Sequence, residues 1–356
     1  MIWDAVVLGA GLYGCKVALE LAALRLKVVL LDPNPMFEGA TRVNQQRIHA
    51  GFHYPRSITT AETAARNYFR FLIDHAEAVD GNDRHLYCIA ADSKVGPEEY
   101  ERVLDSIGAD YRRVYTPSYF APNMIAQCYE THEKSFNIDK LRALLNQQLK
   151  IAGVERVTAP GSIVDLDDDH VVVQAGNSLF EARYVFNCTY AKIDTIVPIR
   201  TKLVKEHVEV PIIRIPGPHP FIREDVTVMD GPYFSVMSYP PRVDFWASAL
   251  THVKHGRHHV WSPPEPEPEW NPEASSKVSQ MLLDAARYIP MMAQAKHLSS
   301  MYTTRVLLAE SSDDDGRPVL VEYAEESPRI ISVLGSKFTS CYDIIDFIRV
   351  WAQHAI

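Results

Sequence analysis

The sequence predicts an α/β protein in which a parallel sheet layered with helices is joined by a second, largely antiparallel sheet. Two observations carry this. The first is residues 5–32, AVVLGAGLYGCKVALELAALRLKVVLLD. An apolar run, three glycines, a stretch of helical period and a second apolar run follow one another, hence strand, turn, helix and strand. Gly9 permits a tight turn, Gly11 lets a pyrophosphate approach the backbone, and Gly14 lets the helix pack closely on the sheet. The helix N-terminus offers unpaired N–H groups to phosphate oxygens. Asp32 closes the second strand, where it can accept hydrogen bonds from a ribose. In that context the glycines read as a Rossmann-like dinucleotide site. The second observation is the β-branched and aromatic content of residues 204–215 and 233–249, which reads as a separate antiparallel sheet.

After Asp32, residues 33–56 form a long polar loop carrying GATRVNQQRIHAGFHYPRS, and a loop of that length inside a compact domain is usually functional. Residues 59–79 have helical spacing of Ala64, Tyr68, Phe71, Leu72 and His75. A strand is expected at 85–91 and a helix at 97–107. Asn137 is placed to cap a helix at 138–152, whose Leu141, Leu144, Leu145 and Leu149 share one face. Residues 163–166, 171–174 and 184–187 are strand-like, the first two joined by the acidic turn Asp167 to Asp169. The run SPPEPEPEWNP at 262–272 reads as an extended, solvent-exposed linker. A helix is expected at 275–292, a strand at 329–334 and a helix at 340–354 with Ile344, Ile345, Ile348 and Trp351 toward the core.

Composition narrows the function. The 356 residues can bury a large core, as one composite domain or two intimately joined ones. A net charge of −9 argues against general nucleic-acid affinity. Cys15, Cys88, Cys128, Cys188 and Cys341 are scattered and odd in number, which suggests neither a disulfide framework nor a zinc site. Four histidines, His252, His255, His258 and His259, lie close in sequence, but no Cys or paired carboxylate completes them, so a solvated loop is expected and no metal. No apolar run is long enough to span a bilayer and no leader precedes the first strand, so a cytoplasmic location is expected.

Several segments, in order, resemble the FAD-dependent D-amino acid oxidase superfamily, and within it the glycerol-3-phosphate dehydrogenase and L-2-hydroxyglutarate oxidase branch. The first is the opening fingerprint, with Ala18 on its small-residue position and Leu26 where the family commonly has glycine. RIHAGFHY at 47–54 is similar to the IHGGLRY and IHAGIYY patterns of those two enzymes. RYVFNCTYA at 183–191 resembles the second flavin motif, with Asn187 and Thr189 in place and Tyr190 where the family has glycine. LGSKFTSC at 334–341 is similar to FGGKLTT, and DGRP at 315–318 is typical of the superfamily.

The resemblance implies a flavin domain made of residues 1–80, 135–200 and 300–356, and a mixed or antiparallel substrate domain made of 81–134 and 201–299. It places FAD against Gly9, Gly11, Gly14, Asp32, Thr41, Arg42, Arg47, His49, Ala50, Gly51, Asn187, Thr189, Gly335, Ser336, Lys337, Phe338 and Thr339, with an adenine contact near Val164. A helix starting near Ser336 would point its N–H groups at the flavin. His53 and Tyr54 would face the substrate. LVKEHVEVP at 203–211 offers His207 as a second candidate base beside His53. Arg305 and Lys337 would clamp an anionic group. The activity implied is hydride removal from a small anionic hydroxy compound, a 2-hydroxy acid or phosphorylated alcohol, with oxygen, a quinone or a carrier protein taking the electrons. An amine or amino acid oxidase, or a non-catalytic flavin-bearing subunit suggested by Tyr190, are the alternatives on the same fold. A nicotinamide enzyme is disfavoured because no second glycine fingerprint is visible. Covalent flavin attachment, through His49, and oligomeric state are left open.

Overall fold

A computed structural model describes residues 2–82, 84–239, 247–311 and 317–355. It contains a Rossmann-like α/β layer and an inserted, mostly antiparallel sheet. The first sheet runs Leu320–Tyr323, Ile330–Leu334, Ser178–Asn187, Ile2–Leu8, Val28–Asp32 and Glu155–Thr158 from edge to edge. Its four central pairings are parallel, with Leu8 opposite both Leu31 and Asn187, and Asn187 opposite Ser332. The carboxyl ends of these strands therefore meet at one edge, where ligands of open α/β sheets bind.

The central strands are near-continuous apolar runs because both faces are covered. On one face Leu21, Leu145 and Ile348 bring the helices Leu12–Ala23, Ile138–Ile151 and Cys341–Ala355 into a single core. On the other, the meander Gly161–Leu166 and Val171–Ala175 packs its valines on Val6 and Val29. Asn137 caps its helix as the sequence predicts, accepting from the Asp139 and Lys140 N–H groups at 3.0 and 3.1 Å.

Among the described residues the second sheet has nine strands. Asp225–Met229 pairs in parallel with His85–Ala90, and the remaining pairings are antiparallel, so the sheet is mixed. The helix Val278–Tyr288 covers it through Met281, Ala285 and Tyr288. Strand Lys296–Leu308 pairs with Leu203–Arg214 along its length, so the chain remains in this sheet through Leu308, past the expected division at 299/300. Of the sheet content expected at 233–249, the structure shows the strands Phe234–Ser238 and Ser248–His252, and part of what lies between, 240–246, falls outside the described residues. So do 312–316, including the first half of DGRP.

The segment 262–272 has no regular structure and is largely exposed, as expected, but it is anchored: Trp270 stacks on His207 with ring centres 4.3 Å apart, and Glu267 meets His207 Nε2 at 2.9 Å. One expectation of exposure is corrected: the histidines at 252–259 are not a solvated loop. His252 is buried beside Asp284 and His258 lies against Glu209, both at 3.1 Å, and His259 approaches His207. Acids from distant elements reach them, which local sequence does not show. No helix among the described residues is long and apolar enough to cross a membrane.

The glycine turn fixes the geometry. A Cβ at Gly14 would lie 1.8 Å from the Gly9 carbonyl oxygen, so the helix sits on the turn at a distance only glycine allows. Gly14→Ala is expected to destabilise the protein by about 2 kcal/mol or more. Gly39→Ala, in open space at ordinary φ, should stay within about 0.5 kcal/mol of the parent. Urea unfolding midpoints distinguish the two.

Candidate active site

The helix Leu12–Ala23 opens without an acidic residue in its first turn, so its positive end is not neutralised from within. Thr41 Oγ1 accepts from the Leu12 N–H at 3.1 Å and is the sole atom near an added Cβ at Gly11, whose other side is open. Asp32 accepts from the Ala10 and Asn34 N–H groups at 2.6 and 2.8 Å, bracing the turn while facing the same space. That space is a cleft of about 890 Å³ running from the strand ends to the second sheet.

Of the residues picked from sequence, Gly9, Gly11, Asp32, Thr41, Arg47, His49, His53, Thr189, Arg305, Gly335, Ser336, Lys337 and Phe338 border the cleft. The others do not, each for a physical reason. Gly14 is spent on packing. Arg42 turns outward to Asp139 at 3.2 Å. Ala50 gives its N–H to Glu133. Gly51, at φ +104°, has its close contact with the Ala61 carbonyl of a helix and the Ile107 side chain, so the small residue there serves packing. Tyr54 is buried beneath Lys337, whose Nζ lies 4.8 Å from the ring centre. Val164 projects to solvent, and Pro160 and Gly161 form the wall at that end. Asn187 is consumed within its own loop, donating to Ile193 O and Ser332 Oγ and accepting from Thr189 Oγ1. Thr339 is buried behind the loop.

His207 is not a cleft residue. From this strand Val208, Glu209 and Val210 border the cleft, whereas His207 lies under Trp261 and Trp270. The last helix begins at Cys341, not near Ser336, and Asp343 already stands in its first turn. The cleft is met instead by the loop from Gly335 to Phe338, held by the Tyr13 hydroxyl donating to the Lys337 carbonyl at 2.7 Å.

Tyr190 replaces the family's glycine yet keeps a glycine-like backbone, with φ +52°. That conformation costs a side-chain-bearing residue about 1–2 kcal/mol. The Val306 N–H donating to its hydroxyl and apolar packing against Ile193 and Leu334 offset the strain.

Sequence reasoning named Arg47, His49 and Arg305 but missed the groups around them, Glu133, His85, Tyr87 and Glu206. Arg47 is buried and donates to Thr227 Oγ1 at 2.9 Å, Gln45 Oε1 at 3.3 Å and Tyr87 Oη at 3.3 Å. Glu133, wholly enclosed, accepts from the Ala50 N–H and the Tyr87 hydroxyl at 2.7 and 2.5 Å and lies 3.8 Å from Arg47 Nε. His85 stacks on Tyr87 and meets Thr227 Oγ1 at 2.8 Å. Burial, then Lys337 and Arg47, hold His49 well below the ordinary histidine range, and burial and Arg47 do the same to His85. At the opposite wall the Arg305 guanidinium binds Glu206 at 2.8 Å, and Arg257 approaches the same carboxylate at 3.4 Å. Alternation along 85–87 was the one local signal for His85 and Tyr87; Glu133 and Glu206 had none.

Whether FAD fits can be tested on the side chains present. The open face at Gly11, the uncapped helix end and the acid at Asp32 suit its pyrophosphate and ribose. Ser336 Oγ and His49 Nδ1 are buried without a hydrogen-bond partner among the described residues, so polar groups face the cleft at its far end too. The set fits.

The model of the family "FAD dependent oxidoreductase" (DAO) matches residues 4–339, and the chain belongs to this family. FAD is its cofactor. Among curated proteins, the FAD-dependent monooxygenase FPY4 of Fusarium mangiferae is 27% identical over 259 residues, which are 70% of this chain and 65% of that one. The chain thus spans less than two thirds of that relative's length. Among solved structures, glycine oxidase from Geobacillus kaustophilus superposes with a TM-score of 0.71 at 16% identity, covering 97% of this chain and 95% of that one. L-proline dehydrogenase from P. horikoshii gives 0.72 at 13% identity, covering 96% and 89%.

These comparisons correct the expected donor. Iminodiacetate oxidase and L-amino acid deaminase share the fold as well, so the matched structures are mostly amine or amino acid enzymes and the curated relatives monooxygenases. A glycerol-3-phosphate dehydrogenase matches at a TM-score of 0.67 with 64% of its chain covered, no better than these. The specific branch and the CH–OH donor are therefore not supported. The reason is physical: the motifs that suggested them lie where the cofactor is held, and cofactor contacts are common to both donor classes.

The suppressed histidines give the fold a signature in acid. His75 and His252 are lowered to about 4, and His49 and His85 are lowered too, all by burial first. Groups with depressed folded values contribute stability that is present above the unfolded value near 6.5 and lost as pH falls toward the folded one. Asp225, raised to about 6, and Glu133, also raised, oppose this over the lower part of the window. Net proton uptake on unfolding should exceed one at pH 5.5, a slope steeper than about 1.4 kcal/mol per pH unit. Urea midpoints between pH 7 and 5 measure it, and His252→Gln should remove about one proton of the slope.

Proposed function

We propose that this protein oxidises an amine, of the amino acid or related carboxylate-bearing class, with FAD as electron acceptor and oxygen as the next acceptor. The observation that carries the reading is the interior of the cleft: burial first, with Lys337 and Arg47 adding to it, holds His49 neutral, and the same burial and cations would act against a bound ammonium. A like charge nearby disfavours the protonated form, so the donor amine sheds its proton on entering and presents its lone pair. No strong base is then needed. This agrees with the position of His207, which is outside the cleft, and leaves His53 to orient the donor or receive the released proton.

Arg305 supports the carboxylate half of the proposal. It reaches the cleft from strand Lys296–Leu308 while Glu206 fixes the plane of its guanidinium from behind. Lys337 approaches from the other side, braced over Tyr54. Together they would hold the reacting carbon at a near-attack distance. Bound FAD would supply the two-electron acceptor, with Asp32 and Gly161 placed to hold its adenosine and Arg47, His49 and Lys337 placed to hold its ring. The division into a flavin domain and a substrate domain is part of the same proposal, with the second sheet, which includes strand Lys296–Leu308, as substrate wall. The name of the curated relatives makes oxygen the acceptor to test first.

Purified protein mixed anaerobically with matched pairs, an amino acid and its 2-hydroxy analogue, is expected to lose flavin absorbance with the amine alone. Bleaching by the hydroxy partner instead would overturn the reading. In Arg305→Ala, KM for the carboxylate-bearing amine should rise about 10- to 100-fold with a smaller change in kcat. An unchanged KM would remove the carboxylate contact.

A further inference from the structure

Glu133 lies outside the short motifs quoted above, and it does not border the cleft. Its neighbour Arg47 does. Segment 133–136 runs beside the loop: the Ile48 N–H donates to Lys134 O and the Phe136 N–H to Gln46 O, both at 2.9 Å. Those backbone bonds already hold the loop, and a neutral amide could accept from the Ala50 N–H as well as a carboxylate does. The charge is thus what needs a reason, because an enclosed carboxylate is costly unless a partner requires it.

Its hydrogen-bond partners, the Ala50 N–H and the Tyr87 hydroxyl, are donors, which suits an ionised carboxylate. Arg47 is gripped twice, by charge at 3.8 Å and through Tyr87, whose oxygen accepts from Arg47 Nη1 while its proton goes to Glu133. Arg47 and Lys337 bring two cations to this end of the cleft. Glu133 stands directly behind the first.

We propose that Glu133 is a positioning residue that aims Arg47 into the cleft and, as its counter-charge, limits how strongly the flavin end favours negative charge. This rests on the orientation of FAD proposed above but not on the identity of the donor. The flavin midpoint potential, measured against a reference dye in dithionite-driven reduction, needs no substrate, so a failed amine reading leaves the test intact.

Glu133→Gln should raise the two-electron reduction equilibrium constant about tenfold, or about 30 mV. Arg47→Gln should lower it by a similar factor. The double variant, with neither charge, should return to within about threefold of the parent. A merely structural role would lower FAD content or melting temperature without raising the potential. An unchanged or lowered potential in Glu133→Gln overturns the proposal. If that variant yields no flavoprotein because a lone guanidinium is left buried, the double variant must still bind FAD with a near-parental potential, and its failure to do so would count equally against it.

Discussion

A long stretch of chain without regular structure, 33–57, runs between two sheets, and where it is buried, at 45–48, its polar groups must be satisfied without bulk water. Gln45 answers this by donating to the carbonyls of Ser235 and Ala249 and accepting from Thr251 and Arg47, which pins the loop to the second sheet. Gln46 reaches the other way, its side-chain oxygen accepting from the Ile138 N–H at 2.7 Å at a helix start of the first layer. Arg47, next in line, fills the gap between them. The loop is a polar seam, and the cleft is the opening that the seam leaves between turn and sheet.

From that seam follows the electrostatic character of the site. Burying a guanidinium beside the cleft requires a counter-charge, and Glu133 supplies one from a segment antiparallel to the loop. Burial then suppresses protonation of the nearby rings, with Arg47 and Lys337 adding to it. Across the cleft, Glu206 steadies Arg305 and Arg257 in the same way. A chamber walled by restrained cations and neutral imidazoles suits a donor that is anionic at one end and uncharged at the reacting atom.

The cofactor half of this was legible from sequence because its determinants are local. Gly9, Gly11, Gly14 and Asp32 lie on one strand–helix–strand unit, and the constraint on Gly14 is steric contact with a residue five positions away. Helices with a capping side chain, such as the one after Asn137, could be read within a residue. What escaped depended on distant chain. His207 had the right residue type, but its face of the strand is set by pairing with Lys296–Leu308. Glu133 acquires meaning only when Tyr87 and Ala50 are brought to it. Val164 was misplaced because the wall begins three residues earlier, at Gly161. The donor was misread because residues 47–54 and 334–341 report on the flavin, which amine and alcohol enzymes hold alike.

The account stands most directly on the field inside the cleft, so the decisive quantity is the protonation of a bound amine. The pH dependence of the anaerobic rate of flavin bleaching, taken at low donor concentration and at saturation, gives the amine's apparent pKa free and bound. The account predicts a bound value at least about one unit below the free one. A bound value equal to or above the free one would mean that the site accepts an ammonium, and would contradict the electrostatic basis of the proposed chemistry.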